Sequence, residues 1–306
     1  MAAVTTSREP CVAPSHVTPP AIIRSVAAFS DKFIAYVDVL GFKGLVSDSE
    51  RGAGLPLSEL LKLLECLGTG SERAKFAEYG PTCCPGAPRR DKHLDFRALQ
   101  ISDCVIVTTE ISPAGVINLV SHCWGAAITL LTHGIMCRGY IKRGSVYHTD
   151  RQVIGSGYQD AYEAEGSVSA FKREADDRGT PYVEVDSSVT AYIADQGDKC
   201  VREMFSRMIK RDGDAVVLFP FKRLTHEFMI TSAFDASNER QVNQNLRVLI
   251  GNIKARVWSF VNQSDPRAVA KAKHYIAALD EQLVVCDNTD EVIETLLGPF
   301  PAPMHP

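Results

Sequence analysis

The chain has no basic surplus: 33 lysines and arginines stand against 37 aspartates and glutamates, a formal charge of −4. That removes the electrostatic footprint of a duplex-binding protein, so no nucleic acid is expected as a partner. Zinc spacing is also missing among the nine cysteines (Cys11, Cys66, Cys83, Cys84, Cys104, Cys123, Cys137, Cys200, Cys286), and the vicinal Cys83-Cys84 is poorly placed to chelate one ion. The eight histidines show no HxxxH or HxH spacing that would mark a ligand set. No basic n-region followed by an apolar h-region opens the chain, so the expectation is a cytoplasmic protein with reduced, mostly buried thiols. Long apolar runs are scarce. The single candidate, Ala114 to Gly134, is interrupted by Asn118, Ser121, His122, Thr129 and His133, while its largest apolar residues keep helical spacing. A core helix is expected there, and no membrane span.

What is present suits a globular protein: 306 residues, 45% apolar and 23% charged, enough to bury a full core. Residues 1–29 are rich in Pro, Ser, Thr and Ala and read as a disordered tail. A folded unit over 30–235 follows, with a strand at Lys32–Leu40, a helical stripe through Leu57, Leu60, Leu61, Leu64 and Leu67, and a long Pro-rich loop from Ser71 to Lys92. A hairpin at Leu94–Thr109, the Ala114 helix, a strand near Ile135–His148 and a helix from Gln159 to Asp176 come next. Tyr182–Val185, Ala215–Phe219 and Glu227–Ala233 are strand-like. The order predicts an α+β fold with a β-α-β-β-α-β, ferredoxin-like palm core. Beyond Ala236, Val242, Leu246, Leu249, Ile250, Ile253 and Val257 keep one helical face, and Asp265-Pro266 suits the start of a second helix. Residues 236–306 therefore read as a helical extension that covers the core or braces a dimer.

Two aspartates carry the chemistry. Asp38 sits in Phe33-Ile-Ala-Tyr-Val-Asp-Val-Leu-Gly-Phe42, Asp103 in Leu99-Gln-Ile-Ser-Asp103, each at the polar end of an apolar run. An unpaired carboxylate in such a place is costly, and a divalent cation is the economical compensation. Gly41 lets backbone amides approach a ligand, which is the geometry of a phosphate cradle. A hairpin with Asp103 at its turn would bring two carboxylates together around a pair of hard cations able to polarise a triphosphate and activate a hydroxyl. Because strand side chains alternate, Tyr36 shares a face with Asp38, and Arg97 and Leu99 share one with Asp103.

These residues resemble the class III nucleotide cyclases. Tyr36-Val-Asp38-Val-Leu-Gly41-Phe42 is similar to the family's first metal motif, Ser102-Asp103 to its second, and Arg138-Gly-Tyr-Ile-Lys-Arg-Gly144 to its fourth-strand pattern. Gly155-Ser-Gly-Tyr-Gln-Asp-Ala161 falls where the family has its Gly and Asn-x-Ala segment. Within that family, the short domain with this combination of motifs resembles the pyrimidine cyclases of the bacterial Pycsar antiphage system. The resemblance implies two Mn2+ or Mg2+ ions on Asp38, the Val39 carbonyl and Asp103, phosphate contacts from Gly41, Phe42 and Arg138, and a homodimer with shared active sites. It implies UTP, or CTP, as substrate, and a separate effector that senses the cyclic product.

The departures from the pattern are equally specific. The family's transition-state Asn falls on Gln159 and its transition-state Arg on Glu163, so a cation from elsewhere is needed, with Lys142 and Arg143 as candidates. The base-reading Lys is Leu99 and the second specificity position is Gln152, which does not suit ATP or GTP. Tyr36, Arg97, Leu99 and Gln152 are the candidates for a base pocket; donors on Gln152 and Arg97 suit the O4 acceptor of uracil. A non-catalytic nucleotide-binding module is the rival from another class, and Glu163 favours it. A palm polymerase or dinucleotide cyclase lacks support, since no Gly-Gly-Asp-Glu-Phe hairpin or basic channel is present.

Overall fold

The computed structural model describes residues 27–68, 94–172, 179–222 and 236–297. The expected tail before residue 27, the loop at 71–92 and the strand at 227–233 lie outside the described residues. The first strand, β1 (Ser30–Val39), is apolar on both faces because both are covered: Phe33, Ala35, Val37 and Val39 join the main core, while Ile34 and Tyr36 face the opposite layer. Two short helices, α1 (Phe42–Glu50) and α2 (Leu57–Leu64), lead to the hairpin β2 (Phe96–Ile101) and β3 (Cys104–Glu110). The long helix α3 (Pro113–Thr132) and the strand β4 (Cys137–His148) complete the unit. β1 pairs antiparallel with both β3 and β4, and β2 pairs with β3. This is the β-α-β-β-α-β arrangement that the sequence predicts, with β1 at its centre.

The chain then extends the sheet. The strand β5 (Val153–Ile154) pairs back on β4, and β6 (Val183–Val185) joins β4 in parallel. Strands β7 (Ile209–Asp212) and β8 (Ala215–Leu218) form a hairpin that docks through β8 on β6. The eight-stranded sheet has the order β2-β3-β1-β4-β6-β8-β7, with β5 off this path. The helix α4 (Ser156–Glu165) lies on the Tyr36 face of β1 and β4, where Gly144 and Gly157 bring the two backbones into direct contact. Helices α5 (Ser187–Asp195) and α6 (Lys199–Met208) cover the other face with α3.

The apolar helix α3 is the only one among the described residues long and apolar enough to cross a membrane, and 67% of its most apolar window is buried inside the protein. Val116, Leu119, Val120, Cys123 and Leu130 pack it on the sheet as a core helix. Ser112 starts it by accepting a hydrogen bond from the Gly115 amide at 3.0 Å, with Pro113 at the first helical position.

The C-terminal pair, α7 (Ala236–Phe260) and α8 (Pro266–Leu297), buries Ile250, Ile253 and Val257 of the expected stripe, while Val242 and Leu249 at its edge stay exposed. Ile250, Ile253 and Val257 pack with Tyr275, Ile276 and Leu279 against Leu131, Tyr182, Val217 and Phe219. Each such aliphatic side chain contributes about 1.5–3 kcal/mol by leaving water. Tyr275 stacks on Tyr182 at 5.0 Å, and the Tyr182 hydroxyl donates to the His274 carbonyl at 3.2 Å. Asp265 caps α8 as the sequence predicts, accepting from the Arg267 amide at 2.9 Å.

Two expectations need correction. The helix expected over Gln159–Asp176 starts earlier, at Ser156, and ends at Glu165. Gly166 stops it, and Val168 and Ala170 continue as buried, non-helical chain against the extension. Cys200 is disulfide-bonded, whereas Cys66, Cys104, Cys123, Cys137 and Cys286 are free as expected. Cysteine spacing does not encode which thiols meet in space.

Gly134, at the turn into β4, has φ 83, and a Cβ there would meet the Arg256 carbonyl oxygen at 2.5 Å. This turn fastens the end of α7 to the sheet. Gly134→Ala is expected to lower the unfolding free energy, and with it the denaturation midpoint, by at least the ~1–2 kcal/mol that a left-handed alanine costs, because the Arg256 backbone must also move. An unchanged midpoint in urea titration would show that this contact does not hold the extension.

Candidate active site

The end of β1 is held from both sides. The Val39 amide donates to the Asp103 carbonyl at 3.1 Å, and the Leu40 amide donates to the Met136 carbonyl at 2.9 Å. Asp103 occupies the two-residue turn between β2 and β3, preceded by Ser102 at φ 54, a left-handed conformation more common for glycine. Asp38 stands opposite Cys104 on one neighbouring strand and Arg138 on the other. The two aspartates predicted from sequence are thus brought together, both half-buried.

Electrostatics shows what this juxtaposition lacks. Asp38 is pushed up to about 6, chiefly by desolvation, then by the charges of Asp103 and Glu165; Arg138 and Lys271 act in the opposite direction. Asp103, Asp38 and the Val39 carbonyl are oxygen donors of the kind that hold Mg2+ or Mn2+, and a divalent cation would relieve the repulsion that raises Asp38. Immediately after them, Gly41 at φ 77 caps α1. The Gly44 and Leu45 amides return to the Gly41 carbonyl, so those of Phe42 and Lys43 precede the first intrahelical bond and are the helix's natural donors to an anion. Gly41 and Phe42, the residues expected to cradle phosphate, thus stand at the start of α1.

Arg138 lies beside Asp38, but its Nε donates to Glu165 and its guanidinium packs against Gly179. The pair is nearly buried, at 14% and 10% side-chain exposure, so this arginine is a fixed charge rather than a mobile arm. Lys142 and Arg143 sit farther along β4, tied to Asp160 at 2.6 Å and to Asp31 at 2.6 Å, away from Asp38. Neither is placed to stand in for the missing cation within this chain.

The base-pocket candidates are spread along the sheet. Tyr36 is buried under α4, edge-on to Tyr162 at 5.3 Å, and its burial beside Cys104 and Asp38 holds the phenol protonated. Leu99 lies across β3 at the level of Tyr36. Arg97, at the level of Ile34, is about 13 Å along the strands from Asp38, and it pairs with Asp95 at 3.1 Å and Asp150 at 3.5 Å. Gln152 is in the turn after β4, on the order of 30 Å from Arg138 along that strand, its amide bonded to Thr149 Oγ1 at 3.1 Å. Gln159 and Glu163 lie exposed on α4, next to Tyr162, which is 55% exposed.

Glu165 and Lys271 are the charges that sequence reasoning missed. Glu165 is an ordinary helix residue in sequence, and Lys271 lies in a helix that begins more than two hundred residues after Asp38. No motif marks either one. Among the described residues no group of three or more His, Cys, Asp or Glu side chains forms a metal cluster, so the two aspartates and backbone oxygen are the available donors. Burial pushes the Cys66 thiol up to about 11 and Cys137 up to about 12, which keeps both protonated and unreactive.

No family model matches the chain, and no curated protein does. Among solved structures it is similar to a class III adenylyl cyclase-like ATP-binding protein from Pseudomonas aeruginosa, with 11% identity and a TM-score of 0.34 over 58% of this chain and 40% of that one. A bacterial light-regulated adenylyl cyclase gives 14% identity and a TM-score of 0.33 over 72% of this chain and 58% of that one. The chain thus spans less than two thirds of either structure's length.

A pH dependence follows from Asp38. Its pKa in the fold lies above that of a free carboxylate, so in the metal-free protein the protonated form is favoured and stability is lost as pH rises through about 6. A cation competes with that proton. Mn2+ is expected to raise the melting temperature at about pH 7.5, and the gain should shrink toward about pH 5. Asp38→Asn should abolish the gain at both pH values; a variant that keeps it would place the ion elsewhere.

Proposed function

We propose that this chain is a pyrimidine nucleotide cyclase that converts UTP to 3′,5′-cyclic UMP and diphosphate, in the manner of class III cyclases. The observation that carries this reading is the meeting of Asp38 and Asp103 at the end of β1, next to the helix start at Gly41, on a ferredoxin-like sheet. In the reaction the ribose 3′-oxygen attacks the α-phosphorus in line. The bond from that phosphorus to the oxygen bridging to the β-phosphate breaks, and the 3′-hydroxyl proton goes to solvent.

Asp38, Asp103 and the Val39 carbonyl would hold Mn2+ or Mg2+, which when bound lowers the pKa of the 3′-hydroxyl and neutralises the phosphates. The Phe42 and Lys43 amides donate to phosphate oxygens. Arg138, aligned by Glu165, adds a fixed positive charge opposite Asp38. No protein nucleophile is required.

The remaining groups support a shared site. Gln159 is exposed on α4, and Arg97 and Gln152 lie far along the sheet from the aspartates of the same chain. A second copy that presents them would complete the site, so a homodimer with two composite sites is part of the proposal. The product would act as a cytoplasmic antiphage signal read by a separate effector protein. Glu163, exposed where the family has its transition-state Arg, favours a second reading: a module that binds nucleotide without turnover.

Incubating the purified protein with each of the four nucleoside triphosphates and Mn2+, then identifying products by mass spectrometry, separates these readings. Cyclic UMP from UTP is the expected result, and cyclic CMP alone would move the assignment to CTP. Asp38→Ala and Asp103→Ala should each lower turnover by about 100-fold or more while leaving the protein folded, as loss of a charge-stabilising group at a transition state does. Nucleotide binding with no cyclic product from the unaltered protein would favour the non-catalytic module.

A further inference from the structure

We propose that Lys271, supplied by the C-terminal extension, binds the polyphosphate of the nucleotide in the cleft between α1 and α8. The inference rests on the nucleotide reading above and assigns the cation that the motif comparison leaves unfilled at Glu163. The cleft has a volume of about 980 Å³ and opens beyond the end of β1. Gly41 and Gly44 line it at the start of α1, and Arg267 and Lys271 line it as the α8 wall. These two cations are four residues apart and so lie on one face of the first turns of α8.

The charge balance of the cleft favours an anion. Helices α1, after Gly41, and α8, after Asp265, begin at the cleft, while the C-terminal ends of α1 at Arg51 and of α7 at Ser259 and Phe260 also line it, so the helix ends offset one another and the positive charge comes from Arg267 and Lys271. The acidic side chains in the lining are already engaged: Asp48 pairs with Arg51 at 2.5 Å, and Asp265 accepts from the Arg267 amide at 2.9 Å. Lys271 lines the cleft together with Leu40, the second residue after Asp38. One ammonium group thus shares the cleft with the chain that leads directly out of Asp38. The β- and γ-phosphates extend into that space when the α-phosphate is at the aspartates, and negative charge grows on them as diphosphate leaves. This makes the extension part of the site, in addition to its packing on the sheet.

The test uses the full chain and inorganic tripolyphosphate with Mn2+ as the probe, read by calorimetry. The unaltered protein should bind it. Lys271→Gln should weaken binding by about tenfold, the range expected when one charge-assisted contact is lost, whereas Lys271→Arg should bind within a few-fold of the unaltered protein. Melting curves check that each variant is folded, and Arg267→Gln provides a second, more exposed probe of the same wall should Lys271→Gln not fold. Equal binding by the unaltered protein and the glutamine variant, or no tripolyphosphate binding at all, would overturn the assignment. Failure of the cyclase reading shows separately, as the absence of a cyclic product from any nucleoside triphosphate by the unaltered protein, and leaves the tripolyphosphate result standing by itself.

Discussion

Two like charges at the end of a buried strand are the constraint around which this protein is arranged. The hydrogen bond from the Val39 amide to the Asp103 carbonyl fixes the hairpin turn against β1, and with it the approach of Asp103 to Asp38. The backbones that carry the two carboxylates cannot separate without breaking that bond and the ladder that continues from Asp38 to Lys32 along β3. The repulsion is thus built in by backbone pairing, and positive charge must be brought to it.

Three parts of the fold supply that charge. Arg138 arrives across the strand pair, held by Glu165 from α4, and the close contact between Gly144 and Gly157 keeps that helix low on the sheet. The start of α1 offers backbone amides. Lys271 arrives from α8, whose position depends on the stacked Tyr182 and Tyr275 and on the Gly134 turn. The packing of the extension is therefore an electrostatic matter as well as an apolar one: a shift of α8 would move a charge away from Asp38.

Much of this was legible in the sequence where the signal was local. The alternation and apolar density around Asp38 located β1, Ser102-Asp103 located the hairpin turn, and the stripe Ile250, Ile253, Val257 located the buried face of α7. The short helix α1 was not legible, since it buries no residue and so carries no periodic apolar signal. Helix α4 was placed too far along because Gly166 interrupts a polar stretch with no apolar period to mark its end. Glu165 and Lys271 could not be found because a charge partner is chosen by tertiary packing, which leaves no trace in local spacing. The motif comparison placed Arg138 near the aspartates, but its engagement with Glu165 depends on where α4 lands.

The account stands or falls on Asp38 and Asp103 acting as one metal site. Electron paramagnetic resonance of Mn2+ titrated into the protein with a non-hydrolysable UTP analogue counts the bound ions directly. Two spin-coupled ions per chain are expected in the unaltered protein, with loss of the coupled signal in both Asp38→Asn and Asp103→Asn. An unchanged coupled signal in either variant would contradict the account, because it would locate the ions away from the carboxylates that β1 and the hairpin hold together.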